Sequence, residues 1–167
     1  MEIALHYLGA RPRTRWELER RLRRTAASDE VIAGAVERLT RLGYVDDAAF
    51  AGWWAEQRDR HAPRGRRMVE AELRQRGVPR EVLEAMRGSE LSEPMPTDEV
   101  LSADEVLPAS EVERARVALE RYMRGRPLPD DFKARQRIGA FLMRRGFDPE
   151  TVRRTLRAAG DNDAGED

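Results

Sequence analysis

The chain contains no cysteine, only 6% aromatic residues, two histidines and, among its 31 basic residues, a single lysine, Lys133. Without thiols, neither a disulfide framework nor a thiolate zinc site can hold the fold together, which fits a reducing compartment. With so few aromatics, burial has to come from Leu, Val, Ile and Ala. The two histidines, His6 and His61, each sit in a helical segment with no second ligand at a metal-binding spacing. There is no HExxH, no CxxC pair and no GxxxxGK phosphate loop, so hydrolytic, metal and nucleotide chemistry have no constellation to rest on. Neither a catalytic residue nor a cofactor is expected. No long apolar run exists, and the opening Met1-Glu2-Ile3-Ala4-Leu5 has no basic leader. These features predict neither a membrane span nor a signal peptide, and hence a cytoplasmic location.

What is present is charge, unevenly spread. The formal net charge is zero, with 31 bases against 31 acids. Residues 88–110 hold Glu90, Glu93, Asp98, Glu99, Asp104 and Glu105 and no base, and the stretch from Gly160 adds Asp161, Asp163, Glu166 and Asp167. Ten of the 31 acids lie in these two stretches with none of the 31 bases, so the remainder carries a formal charge of +10. A basic body with acidic appendages points to an anionic partner. The plainer alternative is a solvated, arginine-rich surface. Pro94, Pro96 and Pro108 break any helix within 88–109, which is expected to be a flexible linker whose six acids compete weakly for the partner's site.

Elsewhere Ala, Leu, Glu and Arg dominate, apolar residues recur at three and four, and no stretch alternates with period two. The chain is predicted to be all-α. It is also repetitive. The spacing Leu18, Leu22, Ile32 recurs as Val69, Leu73, Leu83 and again as Ile138, Leu142, Val152. Phe50 and Trp53 correspond to Leu119 and Tyr122, with Leu5 and Leu8 in those places in the first unit. An elongated array of three tandem three-helix units follows, at 1–45, 46–87 and 110–159, with an acidic linker at 88–109 and a disordered acidic tail at 160–167. Units of this size gain stability by covering one another's open faces.

Local signals mark the joints. Thr14-Arg15-Trp16-Glu17 and Ser110-Glu111-Val112-Glu113 have capping-box spacing, and Asp148-Pro149-Glu150 is a further helix start. Gly77 follows Arg74-Gln75-Arg76, and Gly146 follows Arg144-Arg145. Glycine there can close a helix in the left-handed region while the arginines suit its negative end. Gly43 and Gly88 are expected to end the third helices of the first two units, and Thr25 stands where a joint glycine would be. The acidic pairs Asp46-Asp47 and Asp130-Asp131 read as caps rather than as metal or acid–base groups. Trp16 lies opposite the Leu18/Leu22 stripe, matched by Arg67 and Gln136 in the other units. Packing against a neighbouring helix is the favoured reading over a partner-facing row. Trp53 is expected in the core, and Trp54 at a boundary between units.

The best candidate contact surface is Pro63-Arg64-Gly65-Arg66-Arg67 with Arg74 and Arg76 on the same helix. Arginine can grip phosphate or carboxylate bidentately, and a helix start adds favourable amides. Arg144, Arg145, Arg153 and Arg154 form a weaker equivalent in the third unit. An ordinary solvated helix face is the alternative for both groups.

Several of these stretches in order resemble a known family: Arg11-Pro12-Arg13-Thr14-Arg15-Trp16-Glu17-Leu18 with Leu22, Gly43-Tyr44-Val45-Asp46-Asp47 with Phe50-Ala51, Gly65-Arg66-Arg67, Glu72-Leu73, Gly77-Val78 and Arg144-Arg145-Gly146-Phe147. The sequence is similar to the RecX recombination regulators over nearly all its length except the linker and tail. No one motif is specific; order, spacing and total length carry the match. The resemblance implies three-helix units lying along the groove of a RecA filament on DNA, limiting its growth and strand exchange in recombination, DNA repair and the SOS response. Implied partners are the RecA filament and the backbone of single- or double-stranded DNA, contacted by a monomer. The insertion at 88–109 departs from the family pattern. The rival reading is a helix-turn-helix DNA-binding regulator. Against it, basic residues occur in all three units, and no single helix concentrates Asn, Gln and Arg.

Overall fold

The computed structural model of the protein describes residues 1–90 and 110–163. Most of the stretch expected to be a linker, 91–109, and the last four residues of the expected tail, 164–167, lie outside the described residues. Among the described residues there are nine α-helices and no strand. They are α1 (Glu2–Gly9), α2 (Arg15–Leu22), α3 (Asp29–Arg41), α4 (Asp47–His61), α5 (Arg66–Gln75), α6 (Arg80–Glu90), α7 (Glu111–Met123), α8 (Phe132–Arg144) and α9 (Pro149–Asp163). In sequence order these make three tandem three-helix units.

The helix starts are chemically specified. Thr14 Oγ1 accepts from the Glu17 amide at 3.0 Å while Glu17 reaches back to the Thr14 amide, a complete capping box. Ser110 accepts from the Glu113 amide, but the Glu113 carboxylate is engaged by Arg116, so only half a box forms. Asp46, Asp131 and Asp148 each cap a helix start through a side-chain oxygen, as the cap reading expects. Asp47 does something else: it accepts from the Arg15 amide at 2.9 Å. Burial pushes its carboxyl above the usual range, partly offset by that bond and by the Arg15 charge.

Helix ends follow the glycines with one exception. Gly43, Gly77 and Gly146 adopt φ of +77°, +76° and +92°, the left-handed region an L side chain rarely enters. Gly88 instead lies inside α6, which continues to Glu90. Likewise α9 runs through Asp163, into the stretch expected to be tail. At Thr25 the chain closes α2 without a left-handed residue, its amide and hydroxyl both donating to Leu22 O.

All nine residues of the repeated spacing are buried: Leu18, Leu22, Ile32, Val69, Leu73, Leu83, Ile138, Leu142 and Val152. The companion pair fits less well. Ala4 is fully buried whereas Leu5 is 41% exposed, so the first unit is offset by one residue. α1 packs on α2, and Ala4 joins the core that Leu18 and Leu22 of α2 build. Trp53 is half-buried, not a core residue as expected, and Trp54 is buried.

The described residues form two compact bodies, residues 1–54 with 71–90 and residues 55–70 with 110–163. In the first, Ala4, Leu18, Leu22, Ile32, Val36, Leu39 and Val45 form one core. In the second, Ala115, Ala118, Leu142, Phe147 and Val152 do so.

Candidate interaction interface

Within the first body, Arg76 has a structural post. Its guanidinium lies 3.8 Å over the Trp54 ring and donates to Glu17 Oε1 at 2.8 Å. Its carbonyl accepts from Thr14 Oγ1 at 2.6 Å, and Thr14 is fully buried. Trp54 donates its indole N–H to Glu72 at 2.8 Å and stacks on Phe50. Arg76 therefore ties the end of α5 to the capped start of α2, and does not present a free contact point as expected from sequence. Beside it, Trp16 packs against the Gly77 backbone, with Arg20 over its ring at 5.0 Å. Packing is thus the role of its inner edge, while 41% of the residue stays accessible. Arg74 on α5 is exposed.

Within the second body, the start of α5 is fastened by backbone. The Gly65 amide donates to Arg145 O at 2.9 Å, and a Cβ at Gly65 would lie 2.2 Å from the Gly146 carbonyl. Only glycine permits that approach. The Arg66 amide donates to Glu111 Oε1 at 3.1 Å, and its side chain lies 3.9 Å from buried Glu70. Arg64 is half-buried; burial, then the charges of Arg58 and Arg145, push its guanidinium below the usual arginine value. Of the three expected contact residues at this helix start, Arg67 alone is exposed.

The weaker group divides similarly. Arg145 donates to Pro63 O at 3.1 Å and covers the Phe141 ring, so it is largely positional. Arg144 and Arg154 are exposed, and Arg153 is exposed but pairs with Glu150. The fold brings Arg64 and Arg145 into one electropositive neighbourhood. Sequence reasoning passed over the run Arg121-Tyr122-Met123-Arg124-Gly125-Arg126, three exposed arginines around an exposed tyrosine at the end of α7. Its signal, basic residues interleaved with an aromatic, was legible but lay outside the repeated positions. Among the described residues no group of three or more His, Asp or Glu could hold a metal ion, and no helix is long and apolar enough to cross a membrane.

Three consecutive three-helix units with capped starts define the class: a tandem-repeat helical protein. Three family profiles match, described as the first, second and third three-helix domains of RecX, at residues 1–39, 46–86 and 109–156. The chain is 33% identical over 158 residues to the regulatory protein RecX of Chlorobaculum tepidum, covering 94% of this chain and 86% of the relative. It is 36% identical over 157 residues to that of Thermobifida fusca, covering 93% and 75%. A crystal structure of RecX from Lactobacillus salivarius shares the fold at a TM-score of 0.70 and 20% identity, over 94% of this chain and 92% of that one. The chain belongs to the RecX family. The relatives are named as regulatory proteins.

Proposed function

We propose that this protein regulates the RecA recombinase by binding its filament on DNA, lowering filament activity and catalysing nothing itself. The observation that carries the reading is the extent of similarity: it spans nearly the whole chain and most of the length of relatives named as regulators. The three-unit organisation and the basic excess of the body, a formal +10 outside the acidic stretches, suit an extended anionic partner. The protein acts as a monomer in the cytoplasm, and contact with DNA backbone is its second activity. Within the second body, Arg67, Arg144 and Arg154 are the contact residues, because each is exposed on a helix. Arg153 stands beside Arg154 as a lesser contributor, since Glu150 already neutralises it.

Titrating the protein into RecA on single-stranded DNA while following ATP hydrolysis tests this. The rate should fall at substoichiometric protein, with no hydrolysis by the protein alone. Replacing Arg67, Arg144 and Arg154 together by Ala should shift the titration to higher concentration without changing helicity, since exposed arginines contribute little to stability. An unchanged rate across the titration would contradict the reading.

A further inference from the structure

The second body contains a cleft of about 510 Å3, within the size range of small-molecule sites, roughly 300–1,000 Å3. Arg121, Arg124, Arg126 and Arg145 line it, together with Tyr122 and Phe141. Among the described residues no Asp or Glu lines it. Two of these arginines are pinned to carbonyls at and just past the end of α4. Arg121 donates to Arg60 O at 3.0 Å, and Arg145 donates to Pro63 O while lying 4.9 Å over the Phe141 ring. Arg124 caps α7 in the left-handed region, at φ +53°, and Gly125 follows at +75°. The Arg124 side chain meets no partner among the described residues, and that of Arg126 donates only to Met123 O, at 3.1 Å. Past the cleft, burial first and then the charges of Arg58 and Arg145 push the Arg64 guanidinium below the usual arginine value.

Arginines alone would suit any anion. The aromatic pair narrows the choice: Tyr122 and Phe141 stack with centroids 4.2 Å apart, and Tyr122 is 40% exposed. Cations that track a phosphate beside a ring that can take a base are the elements of single-strand recognition. In a duplex the base faces are already covered by neighbouring bases.

We propose that this cleft binds a nucleotide unit of single-stranded nucleic acid, with the phosphate among Arg121, Arg124 and Arg126 and the base against Tyr122. The proposal rests on the nucleic-acid part of the function above and gives it a place; it does not rest on recombinase binding.

The test uses the full chain without RecA. Anisotropy of a labelled oligo-thymidine strand is read against a duplex of equal length at low and rising salt. The single strand should bind more tightly. Arg124→Ala with Arg126→Ala should weaken it at least about tenfold and flatten the log–log salt slope by about 1.4, two contacts at roughly 0.7 each. Tyr122→Ala should weaken the single strand at least about fivefold and spare the duplex, and Tyr122→Phe should restore binding. Because Tyr122 rests on Phe141, the double arginine variant, at exposed positions, keeps the test valid if Tyr122→Ala unfolds. Competition by thymidine monophosphate separates the two sources: displacement means one nucleotide suffices, and its absence means the strand is needed; either upholds the site. Unchanged affinity and slope in the arginine variant would overturn it, as would equal displacement by polyglutamate, which would assign the cleft to an acidic protein. Should the cleft variants bind like the parent while RecA hydrolysis still falls, the site is wrong and the function stands. Cleft-dependent binding with no effect on RecA would mean the converse: the site stands and the function is wrong.

Discussion

Replacing Gly77 by alanine imposes two separable penalties, and the fold supplies a control for each. Gly77 sits at φ +76°, and a Cβ there would lie 2.4 Å from Trp16 Cβ and 2.5 Å from Trp16 Cγ. Gly43 has nearly the same backbone, φ +77°, with nothing within 4 Å of its Cβ position. Left-handed backbone costs an L residue about 1–2 kcal/mol, so Gly43→Ala should lose about that much. Gly77→Ala adds the collision; forcing atoms into filled space costs about 1–3 kcal/mol more, giving about 2–5 kcal/mol in total. Urea unfolding followed by far-ultraviolet circular dichroism measures both, with the loss read from the midpoint at constant slope. A double-mutant cycle with Trp16→Gly isolates the collision, because that change removes both atoms the new methyl would strike. The coupling should be about 1–3 kcal/mol, whatever Trp16→Gly costs alone. Equal losses at 43 and 77, or a coupling near zero, would refute the packing of Trp16 on Gly77.

Arg76→Ala should destabilise by about 2–3 kcal/mol, since it removes a charged hydrogen bond to Glu17 and the cation over Trp54. Arg76→Lys should recover only part of this, because an ammonium cannot reproduce the planar contact. A variant of parental stability that had lost filament binding would return Arg76 to the contact surface. Asp148→Ala should cost about 1 kcal/mol as a lost helix cap. The Thr151 hydroxyl and the Thr151 and Glu150 amides hold the Asp148 carboxyl below its ordinary value of 3.8. A pKa lowered in the folded state adds stability above the unfolded value and loses it as pH falls through the folded one. The gap between parent and variant should therefore be full above about pH 4 and close below it; a gap independent of pH would contradict the cap.

The repeated residues were legible because periodic burial writes itself into the sequence: Leu18, Leu73 and Leu142 are all fully buried, as their spacing implied. Caps and left-handed glycines were legible for the same local reason. What escaped was long-range. Arg76 looked like any basic helix residue because Glu17 lies 59 positions away. Gly65 gave no sign that the backbone at Gly146 would pass within contact of it. Trp53 shares a repeat position with Tyr122 and Leu8, yet Tyr122 is 40% exposed and Trp53 only half-buried, so burial is not repeated at that position. Gly88 has the composition of a helix end, yet α6 carries on past it. Of the expected contact arginines, the structure leaves Arg67, Arg74, Arg144, Arg153 and Arg154 exposed, and sets Arg64, Arg66, Arg76 and Arg145 partly into the protein. Charge alone could not separate the two groups, because a guanidinium can serve as packing as readily as contact.

The central claim, regulation of a recombinase filament by a bound helical array, is tested most directly by imaging. RecA filaments grown on single-stranded DNA would be measured by electron microscopy with and without substoichiometric protein. The account predicts shorter filaments at protein amounts far below one per RecA subunit. Filaments of undiminished length, even at equimolar protein, would contradict it.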